Sequence, residues 1–147
     1  MIKPGWIPPA SPFSLVQEHL FPNEWAILVS CVMLNCTRRS QVEGVLPEFL
    51  RRWPDAPALL QAPEEEIIGL CRPLGFANRR TVMLRQLAAA YVGPWEHARE
   101  LPGIGEYGAR AWEIFCRGEL GDEPPRDHAL VLYWLWCTGR QLGNDGG

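Results

Sequence analysis

The amino-acid sequence predicts an all-α fold made of many short helices. Apolar residues recur at three- and four-residue spacing along most of its 147 residues, which is the period of a helix with one buried face. Fourteen glycines and fourteen prolines cut that pattern into short runs, and both residue types end helices or turn the chain. No two alternating runs lie side by side as a strand pair would. The length suits a single domain, 1–147, built on one core.

Each element follows from local chemistry. The segment 1–12 holds Pro4, Pro8, Pro9, Pro12 and Gly5 and reads as an extended N-terminal arm. Phe13 to Phe21 is a short helix with Phe13, Val16 and Leu20 along one side. Asn23 is placed to cap the next helix, which is apolar almost all round from Trp25 to Leu34 and therefore central. Val42, Val45, Leu46, Phe49, Leu50 and Trp53 keep helical spacing up to Pro54. Asp55 caps a short helix over Ala58 to Gln61. Pro63 then opens a helix whose Glu64, Glu65 and Glu66 suit a positive N-terminus, with Ile67, Ile68 and Leu70 as its apolar side. Pro73-Leu74-Gly75 ends it. A longer helix runs from Arg79 to Val92 and closes at Gly93-Pro94. After the turn Leu101-Pro102-Gly103-Ile104-Gly105 come a helix from Tyr107 to Arg117, a Gly/Pro-rich loop, and a last helix from Asp127 to Thr138 stopped by Gly139.

Charge and cysteine usage narrow the function classes. A net charge of −3 lacks the basic footprint of many nucleic-acid binders, but distribution matters more than the sum. Lys3 is the only lysine, and arginines are paired at Arg38/Arg39, Arg51/Arg52 and Arg79/Arg80. Their forks hold phosphates bidentately, so a few can serve a DNA groove; the same pairs also suit plain solvated helix faces. Cys31, Cys36, Cys71, Cys116 and Cys137 are scattered and form no C-x-x-C pair. That argues against zinc or an iron–sulfur cluster and fits a reducing compartment. Met1 to Ala10 lacks the pattern of a signal peptide, and Trp25–Leu34 is too short to span a bilayer. A cytoplasmic chain without membrane attachment is expected.

The turn at 101–105 is the most specific local signal. Gly103 and Gly105 let the backbone bend sharply and come close to another surface, while Ile104 fills the gap between helices. The following helix begins with free amides and a positive dipole end, which suits a phosphate. Ile104, Gly108, Ala111 and Phe115 form its buried stripe. Asp127, beyond the next helix and loop, suits the N-cap of its own helix and also offers a carboxylate.

Hairpin LPGIG, helix, loop GDEPP and then an aspartate opening a helix resemble the helix-hairpin-helix, Gly/Pro-rich-loop, aspartate superfamily of base-excision DNA glycosylases. SPFSLVQEHLF, Leu34 to Thr37, PLGF, GIGEYG with IFC, and DHAL with WLW are further counterparts, spanning Trp6 to Trp136. The likeness is greatest to the branch whose larger members join a thymine glycosylase to a methyl-CpG-binding domain. The resemblance implies two helical lobes with a cleft between them, and a monomer acting on double-stranded DNA that carries a mismatched or damaged base.

It also implies roles. Asp127 is the catalytic carboxylate, stabilising the oxocarbenium-like sugar and handling water. Gln17 and Tyr107 face the flipped base. Relatives that cut the DNA backbone carry a lysine at the Tyr107 position, so lysine-dependent lyase action is not expected. Phe76 matches an apolar wedge that holds the duplex open, and Gly103, Ile104, Gly105, Arg38 and Arg79 contact DNA. Cys36 departs from the relatives' arginine, for which Arg38 or Arg39 could substitute. No cofactor is expected, apart from a weakly held monovalent cation at the Gly103 and Gly105 carbonyls. The implied reaction removes thymine or uracil opposite guanine. A glycosylase for adenine or an alkylated purine, a silent DNA-binding module, and a helical scaffold remain alternatives.

Overall fold

The computed structural model describes residues 1–139. The chain forms α1 (Val16–Leu20), α2 (Glu24–Leu34), α3 (Arg39–Arg52), α4 (Ala56–Leu60), α5 (Glu64–Cys71), α6 (Ala77–Tyr91), α7 (Glu106–Arg117) and α8 (His128–Thr138). Two short 3-10 turns, Arg72–Leu74 and Ala98–Glu100, fall where the sequence suggested only connections. Among the described residues there is no strand, and no helix is long and apolar enough to cross a membrane.

The central helix is α2. The Asn23 side chain accepts the Ala26 amide at 3.0 Å, and every residue from Trp25 to Met33 is buried. Helices α1, α3, α6 and α7 pack around it, while α4 and α5 pack on α6. The stripe expected on α7 is buried as read, with Ile104 seated against Gly108.

The helix expected from Phe13 begins instead at Val16. Glu18 accepts the backbone amides of Ser11 and Leu15, both at 2.6 Å, and the Ser11 hydroxyl at 2.7 Å. That chelate holds the preceding loop out of helical geometry, with Ser14 left-handed at φ 51° and Phe13 turned to solvent. Boundaries shift slightly elsewhere: α4 starts at Ala56 and α6 at Ala77, while Pro63 caps α5 rather than opening it.

The arm is extended but firmly held. The Lys3 amide donates to the Cys116 carbonyl (2.7 Å), the Trp6 indole to the Phe115 carbonyl (3.1 Å), and the Tyr133 hydroxyl to the Pro9 carbonyl (2.7 Å). The Trp6 ring lies so close to Gly118 that a Cβ there would stand 2.7 Å from it. Segment 1–12 thereby ties the end of α7 to α8.

Candidate active site

Asp127 is the N-cap of α8. Its Oδ2 accepts the Leu130 amide at 3.0 Å, and the residue is otherwise exposed. The capping role read from sequence is present, and it turns the carboxylate toward a cavity of about 180 Å³ shared with Gln17, Thr37, Arg39 and Tyr107. Gln17 lies on α1 and is only 2% exposed. Its Nε2 donates to the Tyr107 hydroxyl at 2.8 Å and lies 3.4 Å from Ser30 Oγ. Tyr107 stands in the first turn of α7, directly behind the hairpin.

Burial dominates the electrostatics below this cavity. It pushes the Tyr107 phenol well above its ordinary range, and the charges of Cys31 and Asp127 add to the effect while the Gln17 hydrogen bond opposes it. The phenol therefore keeps its proton and can donate it. Burial also pushes the Cys31 thiol up to about 12, partly offset by hydrogen bonds from Gln17 and Ser30. Cys31 is a packing residue rather than a nucleophile.

The hairpin adjoins this cavity. Gly103 has φ 81° and packs against Met83 and Val32, Ile104 is buried, and Gly105 caps α7. A groove of about 230 Å³ runs over Asn35, Gly103, Gly105 and Tyr107. It leads into a second of about 250 Å³ lined by Asn35, Cys36, Phe76, Arg79 and Gly103. Shared residues join the three into one face, from Asp127 to Phe76.

Phe76 occupies a position that its backbone resists, left-handed at φ 49° and ψ 43°, with its ring 68% exposed. Arg80, buried behind it, explains how the turn is held: Nε donates to the Gly75 carbonyl (2.8 Å) and Nη1 to the Val32 carbonyl (3.4 Å). Arg79 stands beside the ring, its Cζ 5.7 Å from the centroid. Cys36 is also left-handed, at φ 61°, and exposed.

Two sequence-level choices separate here. Arg38 is the exposed N-cap of α3 and does not line the Asp127 cavity, whereas Arg39 does, 3.4 Å from Glu43. Arg110 was not singled out by sequence, yet it lines a cavity with Tyr107 and Asp127; its contacts join distant loop carbonyls that no local motif marks. A larger cavity, about 650 Å³, lies elsewhere. Its Glu24 already accepts Tyr91 Oη (2.9 Å) and Trp112 Nε1 (2.8 Å) and pairs with the N-terminal ammonium, so size alone does not mark the reacting centre. Among the described residues, no three His, Cys, Asp or Glu side chains gather as a metal would require. At the hairpin, the Gly105 carbonyl accepts the Ala109 amide at 2.9 Å, which uses one of its two lone pairs.

Comparison with known proteins identifies the family. Residues 29–141 match the model of the HhH-GPD superfamily base excision DNA repair proteins. A methyl-CpG-binding domain protein 4-like protein from Arabidopsis thaliana is 39% identical over 130 residues, covering 88% of this chain and 29% of that protein. A thymine-DNA glycosylase from Aeropyrum pernix is 44% identical over 115 residues, covering 73% of this chain and 51% of the relative. The solved structure of a thermostable thymine-DNA glycosylase superposes with a TM-score of 0.61 at 24% identity, over 67% of this chain and 49% of that one, a likeness of fold. The chain thus spans about half or less of the length of these relatives. With the hairpin, the helix behind it and the capping aspartate all inside the matched segment, the chain belongs to the HhH-GPD superfamily of base excision DNA repair proteins.

Proposed function

We propose that this chain is a monofunctional DNA glycosylase that removes thymine or uracil mispaired with guanine and leaves an abasic site. The observation carrying this reading is the meeting of Gln17, Tyr107 and Asp127 at one cavity. Relatives named as thymine-DNA and thymine/uracil-DNA glycosylases support the choice of base.

The chemistry follows from the geometry. DNA approaches along the face from Phe76 to the hairpin, where the backbone at Gly103 and Gly105 and the N-terminus of α7 suit a phosphate. Arg79 adds charge beside the Phe76 ring, and that ring fills the space left by the extruded nucleotide. Because Gln17 donates to the Tyr107 oxygen, the phenol proton is available to a carbonyl of the flipped pyrimidine. The bond from C1′ to the base nitrogen breaks with its electron pair departing on the base. The sugar gains oxocarbenium character, which the Asp127 carboxylate stabilises. Water oxygen bonds to C1′ and yields a proton to Asp127; the base takes up a proton and the carboxylate returns its own to solvent.

Lysine-dependent strand cleavage has no support in this arrangement. The Lys3 backbone is fixed at the Cys116 end of α7, about 14 Å along the helix axis from Tyr107.

The test uses duplexes bearing G·T, G·U and other damaged pairs, with alkaline cleavage of abasic products. Wild type should release base from G·T or G·U, and Asp127→Asn should bind the duplex without releasing it. No release from any duplex in a broad panel would sink the enzymatic reading, and release of a purine alone would reassign the substrate.

A further inference from the structure

We infer that Arg110 is a positioning residue for Asp127, setting the carboxylate through the loop that leads into α8. The inference rests on the reading of Asp127 as the reacting carboxylate.

Arg110 follows Tyr107 by three residues on α7, so the two share a face of the helix. Its guanidinium Nη2 donates to two loop carbonyls, Leu120 at 2.9 Å and Glu123 at 3.0 Å. Glu113 Oε1 lies 3.3 Å from Arg110 Nε as an ion pair, although that buried N–H makes no hydrogen bond. Glu113 is itself held: Oε2 is 2.9 Å from His97 Nε2 and 3.5 Å from Arg99 Nη2. The guanidinium is thus paired with a held carboxylate behind it and committed to the loop carbonyls in front.

The loop passes that constraint on. The Leu120 carbonyl also accepts the Trp134 indole of α8 at 2.7 Å, so one oxygen joins α7 to α8. After Glu123 come Pro124 and Pro125, whose rings fix φ, and then Arg126 and Asp127. Little slack separates the clamped carbonyl of Glu123 from the start of α8. A lysine ammonium, a point charge on a flexible stem, could reach the loop carbonyls but would lack the fixed planar geometry of the guanidinium. Arg110, Tyr107 and Asp127 also line a common cavity of about 320 Å³, which places the clamp beside the carboxylate rather than across the molecule.

The experiment measures single-turnover base release and duplex Kd for wild type, Arg110→Ala, Arg110→Lys and Asp127→Asn. A displacement of about 1 Å at a reacting group can cost about a hundredfold, so Arg110→Ala should lose about ten- to a hundredfold in rate. Duplex Kd should stay within about threefold, because the Arg110 guanidinium is committed to the Leu120 and Glu123 carbonyls. Added guanidinium ion should restore part of the rate in Arg110→Ala and none in Asp127→Asn, and Arg110→Lys should fall between wild type and alanine. Wild-type rate in Arg110→Ala overturns the inference. So does a rate loss matched by the loss of folded protein or duplex binding and unmoved by guanidinium. If the alanine variant does not fold, the lysine variant is read by the same criteria. An active Asp127→Asn would instead overturn the reading of Asp127, whatever Arg110 does.

Discussion

Gln17 and Tyr107 stand ninety residues apart in the chain and 2.8 Å apart in space, the amide of one donating to the hydroxyl oxygen of the other. A buried amide needs its partners, and this pair supplies each other's. Replacing Gln17 with Ala or Tyr107 with Phe should slow base release while leaving affinity for undamaged duplex unchanged. In a double-mutant cycle on the single-turnover rate, the pair should couple by about 1 kcal/mol. Strictly additive losses would show that the bond between them has no part in base recognition.

The arginine pair at the start of α3 should divide its work. Arg39 lines the Asp127 cavity and Arg38 does not. Arg39→Ala should lower base release about tenfold, the scale of one charge-assisted hydrogen bond. Arg38→Ala should leave that rate near wild type and act, if at all, through a shallower salt dependence of binding. Rate profiles of both variants on G·T and G·U duplexes check this, and equal effects would contradict it.

The two hairpin glycines should respond differently to alanine. Gly103 has φ 81°, and a Cβ there would meet Met83 Cγ at 2.7 Å. Gly103→Ala should therefore destabilise the fold by about 1–3 kcal/mol. Gly105 has φ −88° and nothing within 4 Å of an added Cβ, so Gly105→Ala should cost about 1 kcal/mol or less. Yet if the hairpin meets DNA at close range, Gly105→Ala should weaken duplex binding despite its intact fold. Melting curves and binding isotherms separate the two effects.

Thiol chemistry should sort the cysteines by environment. Cys36 is exposed, whereas burial holds the thiols of Cys31, Cys71 and Cys116 above their usual range, to about 12 for Cys31 and about 11 for Cys71. A raised thiol pKa leaves the unreactive protonated form dominant at neutral pH. Alkylation near pH 8 should modify Cys36 first, with the three buried thiols reacting only on unfolding; mass spectrometry of the labelled peptides reads the order. Early labelling of Cys31 would show that the packing beneath Gln17 opens in solution.

What could be read from sequence was what local chemistry decides. The burial of α2 followed from an apolar run with Asn23 before it, and the hairpin and its buried stripe followed from glycine placement and helical spacing. Asp127 was visible because a helix-capping aspartate after a Gly/Pro-rich loop is a local signal, and the cap is present. The late start of α1 was hidden because Glu18 gathers amides from the loop before it, a three-partner contact with no periodicity. Gln17's burial, the Arg110 clamp and the fastening of the arm by Tyr133 depend on partners 10 to 124 residues away. Spacing along a chain carries no record of those encounters.

The Arg80 brace behind Phe76 bears on timing. Its bonds to the Gly75 and Val32 carbonyls hold the turn that presents the ring in the protein without DNA. If Phe76 is the wedge proposed above, its turn is preorganised: the entropy of ordering it is charged to folding and not to the encounter. On that proposal, duplex engagement on this side would need no loop closure, and the slow coordinate would be the swing of the nucleotide itself. Searching intact DNA would then amount to pressing a rigid probe against successive steps and lingering where stacking is weakest.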